Sequence, residues 1–214
     1  MTSPTRRASD PAARRLSLYL RGLEELAREG RESTSSGELA GLCGISAAQL
    51  RKDLSHFGSF GKRGFGYPVG VLIPRLREIL GLTRSWRAVL AGAGGLGQAL
   101  AAYPGFSERG FDIVAIVDSD PAKVGQACGS VTIRDAGELE DAIRTEDAEL
   151  LILAVPAHAA QDLAERGVRA GVRGILNFAP VRLTLPAGIP VNAVNLGLEL
   201  EALAFVLADG TTPR

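Results

Sequence analysis

Apolar residues in the first part of the chain recur at the spacing of a helix. From residue 16 to residue 27 they fall three or four positions apart, and charged residues occupy most of the positions between them. This pattern predicts an amphipathic helix with a single buried stripe. The stripe consists of Leu16, Tyr19, Leu20, Leu23, Leu26 and Ala27.

Two capping patterns follow this helix. Ser35 precedes Glu38 by three residues, which is the spacing of a capping box, and predicts a second helix that is ended by Gly44. Ser46 and Gln49 repeat the spacing and predict a third helix after a tight turn. Two short helices joined in this way form a helix-turn-helix, whose later helix enters the major groove of DNA.

The predicted third helix has one apolar side and one polar side. At about 100° per residue, Leu50 and Leu54 project to one side, whereas an amide, a cation and a hydroxyl project to the other. These side-chain types read base edges and phosphates, so the pattern predicts contacts with double-stranded DNA, and a solvated helix face is the alternative. The predicted contacts are Ser46, Gln49, Arg51, Lys52, Ser55 and His56.

A glycine-rich segment with interleaved aromatic residues follows the third helix. Residues 57–67 contain four glycines and are predicted to form a β-hairpin wing. Lys62 and Arg63 stand where the tip of a wing meets the DNA backbone or the minor groove, and Tyr67 closes the segment. A glycine-rich hairpin without a ligand is the alternative interpretation.

Continuous apolar runs replace the helical spacing in the second part of the chain. Such runs are typical of strands that are covered on both faces, as in a parallel, doubly wound sheet. The predicted class is therefore α/β, with a C-terminal Rossmann domain. The strands are predicted at 88–91, 112–117, 150–155 and 174–178, with helices at 74–80 and around 160–170.

A strand, a glycine loop and a helix follow one another in the order of a dinucleotide-binding motif. In G-x-G-x-x-G the first glycine makes the turn, the second admits a pyrophosphate, and the third lets the helix pack on the strand. Gly92, Gly94 and Gly97 take these three parts, and the pyrophosphate is expected on the amides that follow. The predicted cofactor contacts are Gly92, Ala93, Gly94, Gly95, Leu96 and Gly97.

Asp118 ends the next predicted strand, twenty-one residues beyond Gly97. A carboxylate at this place accepts hydrogen bonds from the adenosine ribose and repels a 2′-phosphate. The sequence therefore predicts NAD(H) rather than NADP(H), with an ordinary strand-end aspartate as the alternative. Asp120 and Lys123 lie just beyond and are expected near the adenosine.

Two further segments lie at the predicted carboxyl ends of strands, where sheets of this class bind ligands. They are expected to form walls for the nicotinamide, although either could be a structural turn. Their residues are Val155 and Pro156, and Asn177, Phe178, Ala179 and Pro180.

The last predicted helix, over residues 196–207, is apolar on two nearly opposite sides. One stripe contains Leu196, Leu200, Leu203 and Leu207, and the other contains Leu198, Ala202 and Phe205. Such a helix needs two surfaces to cover it. We expect a second subunit to supply one of them, so the chain is predicted to be a homodimer, and burial within one chain is the alternative.

Charge divides the chain in the same way as the motifs. Residues 1–85 hold 14 Lys and Arg against 8 Asp and Glu, and residues 86–214 hold 10 against 16, so the formal charges are +6 and −6. The basic part suits a polyanion such as DNA. The predicted organisation is a flexible basic tail over 1–15, a winged-helix domain over 16–85, a Rossmann domain over 86–195, and a dimerising helix and tail over 196–214.

The sequence lacks the features expected of a membrane protein, a secreted protein or a metal-binding protein. No apolar run approaches the roughly 20 residues of a membrane span, and the first fifteen residues lack the apolar core of a signal peptide, so a cytoplasmic protein without a membrane partner is expected. Cys43 and Cys128 fall in different predicted domains and lack the spacing of metal ligands. We therefore expect no metal.

Taken together, these motifs resemble the Rex family of redox-sensing transcriptional repressors of bacteria. The similarity covers nearly the whole chain and keeps the order of the motifs, which makes it far more specific than the glycines alone. The segments that carry it are 51–55, 57–67, 92–97, 103–106 and 177–180.

The resemblance implies a homodimer with an N-terminal winged helix and a Rossmann domain whose final helix is exchanged between subunits. It also implies an inverted-repeat operator in front of genes for respiration and fermentation, with release by NADH and binding permitted by NAD⁺. Tyr103, Leu198 and Phe205 are the residues expected at the subunit interface. Gly95 stands where many relatives carry Asn or Arg, and this change is expected to loosen the pyrophosphate contacts. Asn195 stands where some relatives carry an acidic residue, so the chain lacks the carboxylate of an inter-subunit bond to Tyr103.

Catalytic residues are scarce around the predicted nicotinamide site. His158 is the one candidate acid or base close to Val155 and Pro156, and no carboxylate is placed to orient it. The chain is therefore predicted not to be an enzyme. The alternatives are a small NAD-dependent oxidoreductase, and a nucleotide- or coenzyme A-binding module on a general DNA-binding protein.

Overall fold

The computed structural model describes residues 11–58, 60 and 66–208. The chain divides into two compact units, Met1–Arg84 and Ser85–Arg214. None of the helices in the described parts is long and apolar enough to cross a bilayer.

In its described residues, the N-terminal unit is built mainly from four helices. Three of them precede the glycine-rich segment, and one follows it. A two-stranded antiparallel sheet joins β1 to β2, with Thr34 opposite Tyr67. The bounds are α1 Pro11–Arg28, β1 Ser33–Thr34, α2 Ser36–Leu42, α3 Ala47–Ser55, β2 Tyr67–Pro68 and α4 Val69–Ile79.

The predicted helix-turn-helix is present with its caps. Ser35 Oγ accepts from the amide of Glu38 at 3.1 Å, which is the N-cap bond of the predicted capping box, and the Glu38 carboxylate accepts from Thr34 Oγ1 at 2.8 Å. Gly44 adopts φ 65° and turns the chain into α3. Ser46 Oγ caps α3 through the amide of Gln49 at 3.2 Å.

The predicted buried stripe of α1 forms most of its contribution to the core. Ala27, predicted as its sixth residue, is exposed. The other five residues, from Leu16 to Leu26, are at most 3% exposed. They pack with buried residues from α2, α3 and α4, so one apolar cluster holds the four helices together. The partners are Leu39, Ala40, Leu50, Leu54, Val69, Leu72 and Leu76.

Three expectations for this unit need correction or lie outside the described residues. Helix α1 begins at Pro11, so residues 11–15 do not belong to a flexible tail. Helix α4 begins at Val69 instead of residue 74 and contains Pro74, because Val69, Leu72 and Leu76 form a buried helical stripe around the proline. Lys62 and Arg63, at the tip of the predicted wing, lie outside the described residues.

The C-terminal unit contains a seven-stranded sheet in the order β5-β6-β4-β3-β7-β8-β9. All neighbouring pairs are parallel except β5 and β6. The four predicted apolar runs are four of these strands, at its centre. The bounds are β3 Trp86–Ala91, β4 Phe111–Asp118, β5 Ala127–Cys128, β6 Val131–Asp135, β7 Leu150–Leu153, β8 Gly174–Asn177 and β9 Val191–Ala193.

Helices cover both faces of this sheet. One buried cluster lies between the sheet and helices α7 and α8, and a second cluster on the other face includes Leu100 of α5. This is the doubly wound arrangement expected from the continuous apolar strands. The helices are α5 Gly95–Ala101, α6 Pro104–Ser107, α7 Leu139–Thr145, α8 Ala157–Ala170 and α9 Leu196–Ala208, with a 3₁₀ turn at Ala136–Glu138.

The strand order brings the functional loops to one edge of the sheet. Ala91 of β3 pairs with Val117 of β4 on one side and with Leu153 of β7 on the other. The direction of the crossovers reverses between β3 and β7, which makes this pair the switch point of the sheet. Ligands of doubly wound proteins bind outside the carboxyl ends of the strands at such a point.

Candidate cofactor and nucleic-acid sites

The glycine loop has the steric features predicted from its spacing. Gly92 adopts φ 101°, and a Cβ there would lie 2.3 Å from the carbonyl oxygen of Ala154. A Cβ on Gly97 would lie 1.8 Å from the carbonyl oxygen of Gly92, so only glycine lets α5 pack this closely on the loop. A Cβ on Gly94 would meet nothing within 4 Å. The open side of the loop is therefore at the second glycine, as a pyrophosphate requires.

A cavity of about 510 Å³ lies at this edge of the sheet. Five of the predicted cofactor residues line it: Gly92, Gly94, Asp118, Val155 and Pro156. This volume is within the usual range for small-molecule sites, roughly 300–1,000 Å³. The other lining residues are Ala91, Val117, Ser119, Asp120, Lys123, Ala136, Ala154, His158, Ala159, Asp162, Leu163 and Arg166.

The remaining predicted cofactor residues do not line this cavity. Ala93, Gly95, Leu96 and Gly97 belong to the loop and the first turn of α5, and Phe178, Ala179 and Pro180 follow β8. Asn177 is 1% exposed. Its amide donates to the carbonyls of Ala179 and Val181, and its oxygen accepts from the amide of Ala179. These bonds hold the turn after β8 and use the side chain that was predicted to face the nicotinamide.

The Asp118 carboxylate stands at the centre of a hydrogen-bonded cluster. Its Oδ2 accepts from the amide of Ala93 at 2.6 Å, its Oδ1 accepts from the amide of Asp120 at 2.8 Å, and Lys123 Nζ lies 3.2 Å from Oδ2. Burial raises the pKa of this carboxyl, but the two amides and the ammonium outweigh burial, so its pKa lies below the ordinary value. Asp118 is therefore an anion at neutral pH.

One polar face of α8 lines the cavity and was missed as a group by the sequence analysis. His158, Asp162 and Arg166 are spaced four residues apart on the helix that starts after Pro156. That spacing, directly after a predicted ligand segment, was the available signal. Both ends of the Arg166 fork bind Glu140, at 2.7 and 2.6 Å, and this contact lowers the pKa of Glu140 to about 2.

The side chains of α3 that are predicted to contact DNA differ in the contacts that they already make within the protein. Lys52 is exposed, and its ammonium has no hydrogen-bond or ion-pair partner among the described residues. Arg51 is also exposed, but it donates to Ser36 Oγ at 2.9 Å. Ser55 Oγ and His56 Nδ1 both contact the carbonyl of Lys52 at 2.7 Å. Lys52 is thus the residue of α3 whose charge is most available to a phosphate.

An ion pair with a buried carboxylate joins α3 to α1. Asp53 is 5% exposed and accepts from Arg15, Tyr19 and Gln49. The Arg15 bond, together with those from Tyr19 and Gln49, outweighs burial and lowers the pKa of Asp53 to about 2. Sequence reasoning gave Asp53 no role, because Arg15 lies thirty-eight residues away.

Helix α9 exposes both of its predicted apolar stripes. Leu200 and Phe205 are each 68% exposed, and no residue of the helix is buried. The described residues 11–58, 60 and 66–208 therefore do not cover this helix, which contradicts the alternative of burial within one chain as far as this part of the chain is concerned. Asn195 Oδ1 accepts from the amide of Gly197 at 3.0 Å at the start of the helix. Tyr103 is 57% exposed and contacts Phe106 edge-on.

Metal ligation finds no support in the described part of the chain. Among residues 11–58, 60 and 66–208, no three or more His, Cys, Asp or Glu side chains form a group that could hold an ion. Both cysteines are free, and Cys128 is buried.

Two family models match the chain, one in each unit. The model described as "Putative DNA-binding protein N-terminus" matches residues 8–55, and the model described as "CoA binding domain" matches residues 83–181. The two matches therefore agree with a DNA-binding part followed by a nucleotide-binding part.

Curated relatives match over most of their length. The chain is 48% identical over 191 residues to the redox-sensing transcriptional repressor Rex of Carboxydothermus hydrogenoformans, covering 89% of this chain and 92% of that protein. It is 42% identical over 228 residues to the Rex of Streptomyces coelicolor, covering 98% and 88%.

Solved structures agree with these relatives. The chain is similar, with a TM-score of 0.88 and 38% identity, to the Rex-family repressor RSP in complex with β-NAD⁺ and operator DNA, covering 93% of this chain and 92% of that one. It is also similar to RSP in complex with β-NADH, with a TM-score of 0.86 and 35% identity, covering 96% and 97%.

Proposed function

The chain belongs to the Rex family of redox-sensing transcriptional repressors. On that premise we propose that its N-terminal unit binds operator DNA, and that NAD(H) bound to its C-terminal unit controls this binding. The protein is a regulator and not an enzyme. The observation that carries the proposal is one cavity at the switch point of the sheet that joins the glycine loop to Asp118. RSP, which shares this fold, has been solved with NADH and with NAD⁺ plus operator DNA.

The residues of the cavity fit a dinucleotide. The open side of Gly94 leaves space for a pyrophosphate, and the Asp118 carboxylate offers acceptors for ribose hydroxyls. All four hydrogen-bonding contacts of Asp118 in this structure are made by the protein, two of them by Lys123. We propose that Lys123 moves away from Asp118 when the nucleotide binds, so that a carboxylate oxygen can accept hydrogen bonds from the ribose. Lys123 is the partner that moves, because a lysine side chain moves more easily than the backbone amides.

The redox state of the nucleotide changes the charge of its nicotinamide ring, which is neutral in NADH and cationic in NAD⁺. Val155 and Pro156 give the cavity an apolar wall, and burying a cation against such a wall costs more than burying a neutral ring. Phe178 and Pro180, predicted as further walls, follow the neighbouring strand. We propose that NADH therefore favours a closed arrangement of this site.

Release from DNA requires that NADH prefer one arrangement of the protein. A ligand that binds two arrangements equally shifts neither. We propose that the closed arrangement moves the two α3 helices of a homodimer out of register with the half-sites of a palindromic operator. The contacts proposed for α3 are Ser46, Gln49, Arg51, Lys52, Ser55 and His56, with Tyr67, Lys62 and Arg63 at the wing.

A second copy of the chain is the proposed cover for α9. The helix exposes large apolar side chains on both faces, and monomeric proteins rarely leave such patches open. Leu198 and Phe205 lie on one of these faces, and we place them in the dimer interface together with Tyr103. Since operator DNA is the proposed partner, we also infer that the protein acts in the cytoplasm.

Nucleotide titration separates this function from its two alternatives. NADH should bind stoichiometrically to the full chain in calorimetry, without oxidation when aldehydes or ketones are added. His158 lines the cavity, but its ring has no hydrogen-bond partner in the described residues that would orient it as an acid or base. Steady turnover would instead indicate an oxidoreductase, and binding of coenzyme A in preference to NADH would indicate a coenzyme A module.

A further inference from the structure

Asp53 is a buried anion inside the motif proposed to meet DNA. Its neighbours Arg51 and Lys52 are exposed, whereas Asp53 is 5% exposed and is bonded to residues of α1. Burying a carboxylate costs free energy unless its oxygens accept hydrogen bonds. The donors around Asp53 therefore indicate what the carboxylate does in α3.

Both oxygens of Asp53 are fully engaged, and each has a separate task. Oδ2 accepts from Arg15 Nε at 2.5 Å and from the Tyr19 hydroxyl at 2.7 Å. Oδ1 accepts from Arg15 Nη2 at 2.9 Å and from Gln49 Nε2 at 2.7 Å. Because the arginine fork binds both oxygens, the plane of the carboxylate is fixed. Oδ1 is consequently held toward Gln49.

This contact determines which way the Gln49 amide is turned. An ionised carboxylate only accepts hydrogen bonds, so Gln49 must present its NH₂ group, and a flipped amide would set oxygen against oxygen. One N–H and the carbonyl oxygen of the amide remain, and neither has a partner among the described residues. A donor and an acceptor side by side match N7 and the N6 amino group of adenine in the major groove.

We propose that Asp53 is a positioning residue for base recognition: held by the arginine fork of Arg15, it fixes the amide of Gln49 so that α3 selects an adenine at one position of each operator half-site. The inference rests on the proposed function, since it requires that α3 enter the major groove. Beyond that function, it identifies the base that α3 selects and the buried carboxylate that orients Gln49.

Selection from random DNA tests the inference. The full-length protein with NAD⁺ is used to enrich binding sequences from duplexes with a random central segment, and the bound pool is sequenced. The same selection is run with Gln49→Ala and with the paired variant Asp53→Asn/Arg15→Gln, which removes the carboxylate without leaving an unpaired guanidinium. Tyr19→Phe is the matched control, because it removes a bond to Oδ2 and leaves the contact of Oδ1 with Gln49.

The expected result is a loss at a single position. Gln49→Ala and the paired variant should both lose the preference for one adenine per half-site by about fivefold or more, and should keep the other preferences. Tyr19→Phe should keep all of them. A paired variant that retains the adenine preference, or that weakens every position equally, overturns the inference. If the wild type enriches no sequence, the proposed function itself fails.

A second measurement applies if the paired variant does not fold. In the wild type, the side-chain NH₂ signals of Gln49, identified by their absence from Gln49→Ala, should exchange with water more slowly than after unfolding in urea. They should stay slow in Tyr19→Phe. Equal rates in the folded and unfolded wild type would overturn the inference without the paired variant.

Discussion

The backbone amide of Ala93 donates a 2.6 Å hydrogen bond to Oδ2 of Asp118, and so ties the glycine loop to the carboxyl end of the neighbouring strand β4. The ammonium of Lys123 binds the same carboxylate from the other side. Asp118 thus supports the loop and offers acceptors to a ribose. Its charge also neutralises the ammonium of Lys123, which could otherwise pair with a 2′-phosphate.

Replacing Asp118 by Asn should shift the nucleotide preference from NADH toward NADPH. NADH should bind about tenfold more weakly, since a hydrogen bond to a charged group contributes about 1.5–3 kcal/mol. NADPH should bind more tightly than to the wild type, because Lys123 is released to pair with the 2′-phosphate. Calorimetric titration measures both affinities.

The control for this change is the double variant Asp118→Asn/Lys123→Met. It lacks the released ammonium, so it should lose the gain in NADPH affinity while keeping the loss for NADH. An unchanged ratio of NADH to NADPH affinity in Asp118→Asn would mean that the carboxylate has only a structural role.

The Asp53 ion pair should make the stability of the N-terminal unit depend on pH in acid. The pKa of Asp53 is lowered to about 2 in the folded protein, against about 3.9 in an unfolded chain. Its stabilisation is therefore complete above about pH 4 and is lost as the pH falls toward 2. The free energy of unfolding should drop by about 2 kcal/mol over that window.

Urea unfolding followed by circular dichroism between pH 5 and pH 2.5 measures this dependence. The paired variant Asp53→Asn/Arg15→Gln should lack it, so the difference between the two proteins should shrink as the pH falls. Trp86 is the single tryptophan of the chain and lies in the C-terminal unit, so its fluorescence should change alike in both proteins. A difference independent of pH would contradict the assignment.

Lys52 and Arg51 should be needed for operator binding but not for nucleotide binding. The double variant Lys52→Ala/Arg51→Ala should bind no operator in a mobility-shift assay and should keep its affinity for NADH. Lys52→Ala alone should reduce the salt slope by about one per protomer, as expected for a lost phosphate contact. Arg75→Ala, which removes an exposed arginine of α4 paired with Glu78, is the control. Loss of NADH binding would indicate misfolding instead.

A charge on α9 should separate the subunits. Leu200 and Phe205 are each 68% exposed in the single chain, so Leu200→Glu/Phe205→Glu leaves an isolated chain folded but buries two carboxylates in a dimer. Sedimentation should show a monomer. Leu18→Glu changes an exposed leucine of α1 and should remain dimeric. A dimeric double variant would show that α9 is not the interface.

The long apolar runs in the sequence predict the central strands of the sheet. The short strands have no such run and are not predicted from the sequence. The central strands β3, β4, β7 and β8 are buried on both faces and read as continuous runs. Strand β6 buries only Ile133 of its five residues, and β1 and β2 have two residues each. Such segments are defined by their partners more than by their own sequence.

The site was predictable where backbone geometry dictates the residue. Gly92 and Gly97 are required by close contacts, and a motif records such requirements directly. Asn177 was assigned to the ligand because of its place at the end of β8, but its side chain binds the turn. The contacts of Asp53 with Arg15, and of Glu140 with Arg166, join residues far apart in sequence. No local pattern reveals such pairs.

Control of DNA binding by the redox state of the nucleotide is measured as operator affinity with each form of the nucleotide. The full-length protein is titrated onto its selected operator duplex in a mobility-shift assay with NADH, with NAD⁺ or with neither. NADH should weaken operator binding by at least about tenfold, within the usual range of coupling between two sites, and NAD⁺ should preserve it. Equal operator affinity in the presence of NADH and NAD⁺ would show that the redox state of the nucleotide does not control DNA binding.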